Sequence, residues 1–536
     1  MRPYTESAPL PFFGAISQTI VRPWIVSVGK FLFWALVFGV SYTQSPLYTS
    51  NQNTKFMHGL AQGGLGFLKE DWLAKTTDVL PVFSYLVYLT YRYLHESMFY
   101  FYNILIFGVY LYSMSGIVST VYNINTDRLR HLTFLTVITA IHSYAFDSLS
   151  LRLLGFELGQ FLHYGVAEQH AIGRIFQPSV FGVLIVLSIY AFLRRKTVAA
   201  VFLLAFSATI HPAYFLTAAI YTCAYMWIVF RQEDSIKKSL AVGLFGLILT
   251  LPYLAYFYVQ FSPTSPEIWS RAQDILVNFR SPHHMNADVW LNASAYGKVV
   301  LVTTAFYLVR KTQLLPFMLL PFLIFLLSIV AQMLTSNNTL AASTPWRISV
   351  FLVPLSVGII VAHLVSYVFE NFRESISKNQ KNITALSFAA VLMLVLYGVM
   401  TQVKRHVKYY RDDSIPMMNF VRETKSSGET YLVPVELEDF RLYTGAPTFI
   451  TFKSGAFKDA EILEWYNRLG AARDFYRAEN DEACKVLKTL EDHYKITHVV
   501  VQGPQPDGPC GNASELYKDD HYRVYRIDTE RSVARY

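Results

Sequence analysis

The chain has 536 residues, of which 53% are hydrophobic and only 16% charged, with a mean hydropathy of +0.29. Soluble globular proteins carry about 25% charged residues, so a single water-soluble domain is excluded. The net charge of +8 does not point to nucleic acid, because many Lys and Arg sit in short loops between apolar runs, the pattern of the positive-inside rule.

A membrane span takes about 20 apolar residues. A polar stretch with Arg2, Glu6 and Arg22 precedes the first apolar run, and no small-residue cleavage site follows it. The run is therefore expected to be an uncleaved first span. Apolar runs at about 24–42, 97–120, 131–147, 178–193, 197–210, 212–230, 239–260, 297–309, 313–335, 347–369 and 384–402 predict an α-helical polytopic membrane protein with about eleven transmembrane helices. The stretch Leu80 to Tyr93 is too short to cross, opens at a proline and is rich in aromatics, so an interfacial helix is expected there. Charge favours that reading. With the N-terminus inside, the loops holding Arg128 and Arg130, Arg194 to Lys196, Arg231 to Lys238, Arg310 and Lys311, and Arg373 to Lys381 all fall on one face. The opposite, outer face then receives the loop 43–96, the segments 148–177, 261–296 and 336–346, and the C-terminus.

After about residue 403 the composition becomes ordinary, which divides the chain into a membrane domain, 1–402, and a soluble domain, 403–536. In the latter, strands are expected at 430–436, 447–452, 497–502 and 522–527, and helices at 458–476 and 481–493, giving a small α/β domain. Cys223 lies in an apolar run. Cys484 and Cys510 lie in the tail, where a bridge is allowed but not forced.

Polar residues gather on the expected outer face. The first segment holds Asn51, Gln52, Asn53, Lys55, His58, Glu70, Asp71 and Asp78, in a loop longer than a plain connector needs. Glu70 and Asp71 are adjacent, so a helix would turn them about 100° apart. They are candidates for a single base, with solvated surface carboxylates as the plain alternative. The second cluster, His163, Glu168, His170, Arg174 and Gln177, offers a guanidinium suited to an anion, but its spacing matches no zinc motif. No metal ligands are assigned, and the cofactor stays unknown. His211 precedes Pro212 between two apolar runs, and Arg347 opens a span directly after Pro345 and Trp346. A cation at a helix start opposes the helix dipole, and so calls for an anionic partner or for interfacial water.

This layout resembles the GT-C superfamily of membrane glycosyltransferases, with a long first outer loop followed by an interfacial helix. More closely, Tyr48 to Thr54 with His58-Gly59-Leu60, Asp71-Trp72-Leu73, Phe176 to Ser179, His211-Pro212, Pro345-Trp346-Arg347, Asp439-Phe440-Arg441, Phe452-Lys453-Ser454 and Glu464 to Arg468 are similar to uncharacterised bacterial GT-C-like proteins. The resemblance implies a polyprenyl-phosphate-linked sugar as donor, an unidentified acceptor, membrane lipids as partners, and a place in a bacterial inner membrane serving cell-envelope polysaccharide. It also implies roles. Arg347, His211 and Arg174 would hold the donor phosphate, with Gln177, Asn51, Asn53 and His58 binding substrate beside them, and Asp71 or Glu70 would act as the base. One departure matters: where such enzymes carry an acidic residue soon after the first span, this chain has Asn51, Gln52 and Asn53, amides that take no proton at neutral pH. Enzyme status is therefore open between transfer and the alternative, a non-catalytic transporter or lipid-linked-glycan-binding protein. The segments around Arg441, Lys453 and Trp465 to Arg468 alternate charge and ring, and are expected to dock the tail on the membrane domain.

Overall fold

A computed structural model describes residues 23–503, 510 and 513–528; the polar stretch before the first span lies outside the described residues. Helices occupy all eleven apolar runs, but they are unequal. Seven are long and apolar enough to cross a membrane. The run expected at 131–147 is two helices, Arg128–His142 and Tyr144–Leu154, bent by 60° at Ser143, whose hydroxyl accepts from the Phe146 amide and starts the second helix. Three more, Pro178–Leu193, Thr197–Ile210 and Ala293–Val309, are apolar but shorter. The expected eleven spans thus become seven or eight by length.

Packing separates lipid-facing from central helices. In Ile236–Gln260, Leu240, Leu244, Leu247 and Leu251 are each more than half exposed. In water such a stripe would be costly; in a bilayer it needs no protein partner. By contrast, Ser349–Asn371 buries an almost continuous run from Ser349 to Ile359 and is the axis of the bundle. A helix forms at Pro81–Tyr93, where an interfacial one is expected: Phe83, Ser84, Val87 and Thr90 are buried, while Tyr85 and Tyr93 stay exposed. A charged side chain lies inside one of the shorter apolar helices. Lys298, in Ala293–Val309, is buried and donates to the Gly165 carbonyl at 2.8 Å.

The last long helix, Gln380–Tyr410, runs beyond the expected boundary and leads into the tail. There a four-stranded sheet has the order β1-β2-β4-β3, with β1 Tyr431–Leu432, β2 His498–Gln502, β3 Ala513–Lys518 and β4 Tyr522–Ile527. The run 447–452 is not a strand; it contributes one bridge, Thr448 to Tyr431, and its Phe452 amide then donates to the Val435 carbonyl. The unexpected strand β3 is mostly exposed, so burial left little pattern to read in it. Helices Asp459–Arg477 and Asn480–Tyr494 form as expected, and Cys484 is bonded to Cys510 with Cα atoms 5.3 Å apart.

Candidate functional site: a cationic cluster under the C-terminal domain

The long loop after the first span is clamped to the C-terminal domain. Asp71 is fully buried. One of its oxygens accepts from Arg441 Nε at 2.7 Å and from the Thr448 amide at 2.8 Å, and the other from the Leu73 amide at 2.7 Å. Arg441 further donates to Ser454 Oγ and to the Thr448 carbonyl. Glu70 accepts from Ser427 Oγ and the Gly428 amide, which hold its carboxyl below the usual range. Both expected bases are therefore engaged in docking. A guanidinium and two amides take three of the roughly four acceptor sites of the Asp71 carboxylate, which is closed off from solvent. Further contacts extend the seam: Asn53 donates to Asp439, Thr77 to Glu461, and Thr264 to Asp459. Arg468 lies over the Trp72 ring at 4.7 Å, so the tail segments expected at the interface are found there. At Gly66 and Gly445, both with positive φ, the two backbones approach so closely that a Cβ on Gly66 would overlap the Gly445 carbonyl.

Below this seam four basic groups converge from four separate segments. Lys55 ends the short helix Gln52–Lys55, and His211 follows Thr197–Ile210. Arg280 ends a π-helical stretch, Ile275–Arg280, and Arg347 lies in the turn Pro345–Ile348. Their fields overlap: burial, then Arg280 and Arg347, push the Lys55 ammonium down to about 7, with only Asp78 opposing. Burial, Arg347 and Lys55 likewise hold His211 neutral. Burial also lowers Arg280, to about 10, against Glu438.

What distinguishes the cluster is what it lacks. Among the described residues, the ion pairs involve none of Lys55, Arg280 and Arg347. Both ring nitrogens of His211 and Nη1 of Arg280 are buried without a hydrogen-bond partner. Arg347 has a single long contact, Nε to Thr344 Oγ1 at 3.4 Å. The C-terminal domain roofs the cluster with rings and backbone. Phe457 covers Lys55 Nζ at 4.0 Å, Trp465 stacks on Arg280 at 4.8 Å, and the Lys453 carbonyl accepts from Arg280 Nη2. A Cβ at Gly455 would take the place of the Arg280 guanidinium, so a side chain there would displace Arg280 from this position.

Of the residues expected to bind substrate, His211 and Arg347 belong to the cluster. Arg174 does not; it pairs with Asp147 at 3.5 Å and lies over the Tyr144 ring. His170, held neutral by burial at about 4, senses both Arg347 and Arg174. Gln177 is buried at the entry to the turn Pro178–Gly182. Asn51 opens the Lys55 helix through its carbonyl, and Asn53 supports Asp439, whose carboxyl burial pushes up to about 6. His58 bonds the Thr76 carbonyl and faces Asp78 at 3.7 Å. Lys55, Arg280 and Asp78 were visible in sequence only as members of polar loops; nothing local marks them, because the fold assembles the site from distant segments.

Comparison with known proteins adds the following. Residues 412–472 match a family described as a domain of unknown function (DUF6798). Among curated proteins nothing matches the chain. Among solved structures, the crystal structure of ArnT from Cupriavidus metallidurans bound to undecaprenyl phosphate is similar, with 11% identity and a TM-score of 0.48, covering 95% of this chain and 98% of that one. At that score and identity no residue correspondence follows.

Proposed function

We propose that this protein is a GT-C-type glycosyltransferase that takes a polyprenyl-phosphate-linked sugar at the outer membrane face. The carrying observation is the unpaired cluster of Lys55, His211, Arg280 and Arg347. Concentrated positive charge without a protein counter-ion is costly to bury, and a bound phosphate diester removes that cost. The cluster lies at the ends of apolar helices, where a lipid-borne headgroup would arrive laterally.

In this reading the acceptor oxygen attacks the anomeric carbon, the bond from that carbon to the phosphate oxygen breaks, and the lipid phosphate leaves with the electron pair. Lys55, Arg280 and Arg347 stabilise the charge that develops on it. Asp71 and Glu70 are engaged elsewhere, so we assign the acceptor proton to Asp78, half-buried between His58 and the Lys55 field. The orientation we propose, N-terminus inside and C-terminal domain outside, agrees with the Cys484–Cys510 bridge, since disulfides persist in oxidising compartments. We place the protein in a bacterial inner membrane.

The test is binding and turnover with undecaprenyl-phosphate sugars in nanodiscs. Binding that Arg347→Ala weakens and Asp78→Asn spares, with turnover lost in Asp78→Asn, is the expected result. Binding without turnover of any donor and acceptor pair favours the second reading, a lipid-linked-glycan-binding protein, for which the amides at 51–53 speak. No binding by the wild-type protein would overturn both.

A further inference from the structure

A second cavity lies at the same end of the membrane helices as Arg347 and is unlike the cationic cluster. It has a volume of about 510 Å³ and is walled by the end of Leu315–Thr335, the π-helical stretch Ile275–Arg280 and the Asn286 to Leu291 segment. Its polar lining is Asn278, Asn286, Asp288, Gln332, Ser336 and Asn338; no Lys or Arg is among the lining residues. Val277, Leu291 and Met333 add apolar patches.

Gln332 belongs to this wall and is a polar residue in the otherwise apolar run of Leu315–Thr335, only 7% exposed. It adds a carboxamide to a lining already rich in them. The neighbouring amides are positioned rather than loose: Asn286 donates to Asn278, and both Asn278 and Asn338 donate to Asp274. Carboxamides supply donors and acceptors without charge, and the Asp288 carboxylate supplies acceptors. That set matches hydroxyl groups. It repels phosphate and carboxylate, because the cavity has negative charge and no cation. The volume falls within the range of small-ligand sites, about 300–1,000 Å³. The wall includes a π-helix, a rare form that recurs at functional sites.

We propose that this cavity binds an uncharged sugar ring of a glycan. The π-helical stretch places Asn278 in this cavity and Arg280 in the cationic cluster, so one element touches both. The inference stands whether or not the protein transfers sugar or binds a lipid phosphate.

The test uses the full-length protein in nanodiscs, with saturation-transfer NMR on N-acetylglucosamine, galactose and cellobiose, and glucuronate as the charged probe. At least one neutral sugar should receive saturation and glucuronate should not. Gln332→Leu and Asn338→Ala should each weaken the signal about three- to tenfold, the loss of one hydrogen bond. Arg347→Ala should leave it unchanged, which separates this site from the lipid-phosphate reading. The rim variant Asn338→Ala decides the matter should Gln332→Leu fail to fold. No saturation of any neutral sugar, stronger saturation of glucuronate, or a signal indifferent to Asn338→Ala would overturn the proposal.

Discussion

Two groups of buried charge lie along one seam between the long loop after the first span and the C-terminal domain, and they are built oppositely. At Asp71 and Arg441 each charge meets its complement, and the other donors and acceptors are filled by Thr448, Leu73 and Ser454. At Lys55, Arg280, Arg347 and His211 like charges gather and polar atoms are left unpartnered. The comparison separates a bond that holds the structure together from a site that waits for something. A neutralised pair already has its lowest-energy partner, whereas an unneutralised cluster gains most from an anion.

The largest way to break the comparison is at the satisfied pair. Arg441→Ala leaves Asp71 buried and uncompensated, and should destabilise the docked state by about 3–5 kcal/mol. Limited proteolysis and thermal unfolding in detergent should show the tail released from the membrane domain. If Asp71 and Arg441 do act only as a pair, the double variant Asp71→Asn with Arg441→Met should lose less than Arg441→Ala alone.

The next effect is at the unsatisfied cluster, and it is opposite in kind. Arg347→Ala should leave thermal stability unchanged or raised, yet weaken binding of a polyprenyl phosphodiester by about 1.5–3 kcal/mol. Arg347→Lys should fall between, because an ammonium cannot match the two parallel bonds of the guanidinium. Equal affinity of the Lys variant and the wild type would mean that Arg347 only reaches for interfacial water.

The smallest effect sharpens the electrostatics. Lys55 has a folded-state pKa of about 7, below its unfolded value of about 10.4. Between these values the unfolded chain binds more protons, so stability without ligand should rise with pH across that window. Anion binding favours the charged ammonium. Affinity for a phosphodiester lipid should therefore fall as pH rises above about 7, while a single proton is taken up on binding. Lys55→Arg should flatten the pH profile, which titration in buffers of different ionisation enthalpy would reveal.

Sequence alone determined the class of this protein. The bilayer demands long apolar runs, and the short basic loops fall between them, so the helices, the interfacial stretch Pro81–Tyr93 and the change of composition at the tail are all legible from one-dimensional patterns. The pattern also marked His211 and Arg347, since a basic side chain beside an apolar run is conspicuous against its neighbours. It failed where meaning depends on a partner. Asp71 resembles a base until Arg441, 370 residues away, is seen beside it. Lys55, Arg280 and Gln332 look ordinary until the tertiary structure shows which charges crowd the first two and which cavity the third helps to wall. Hydropathy is a local property that the chain carries with it. The pairing of charges and amides is settled only when distant segments meet, and that alone distinguished the residues that fasten this protein from those left open to a ligand.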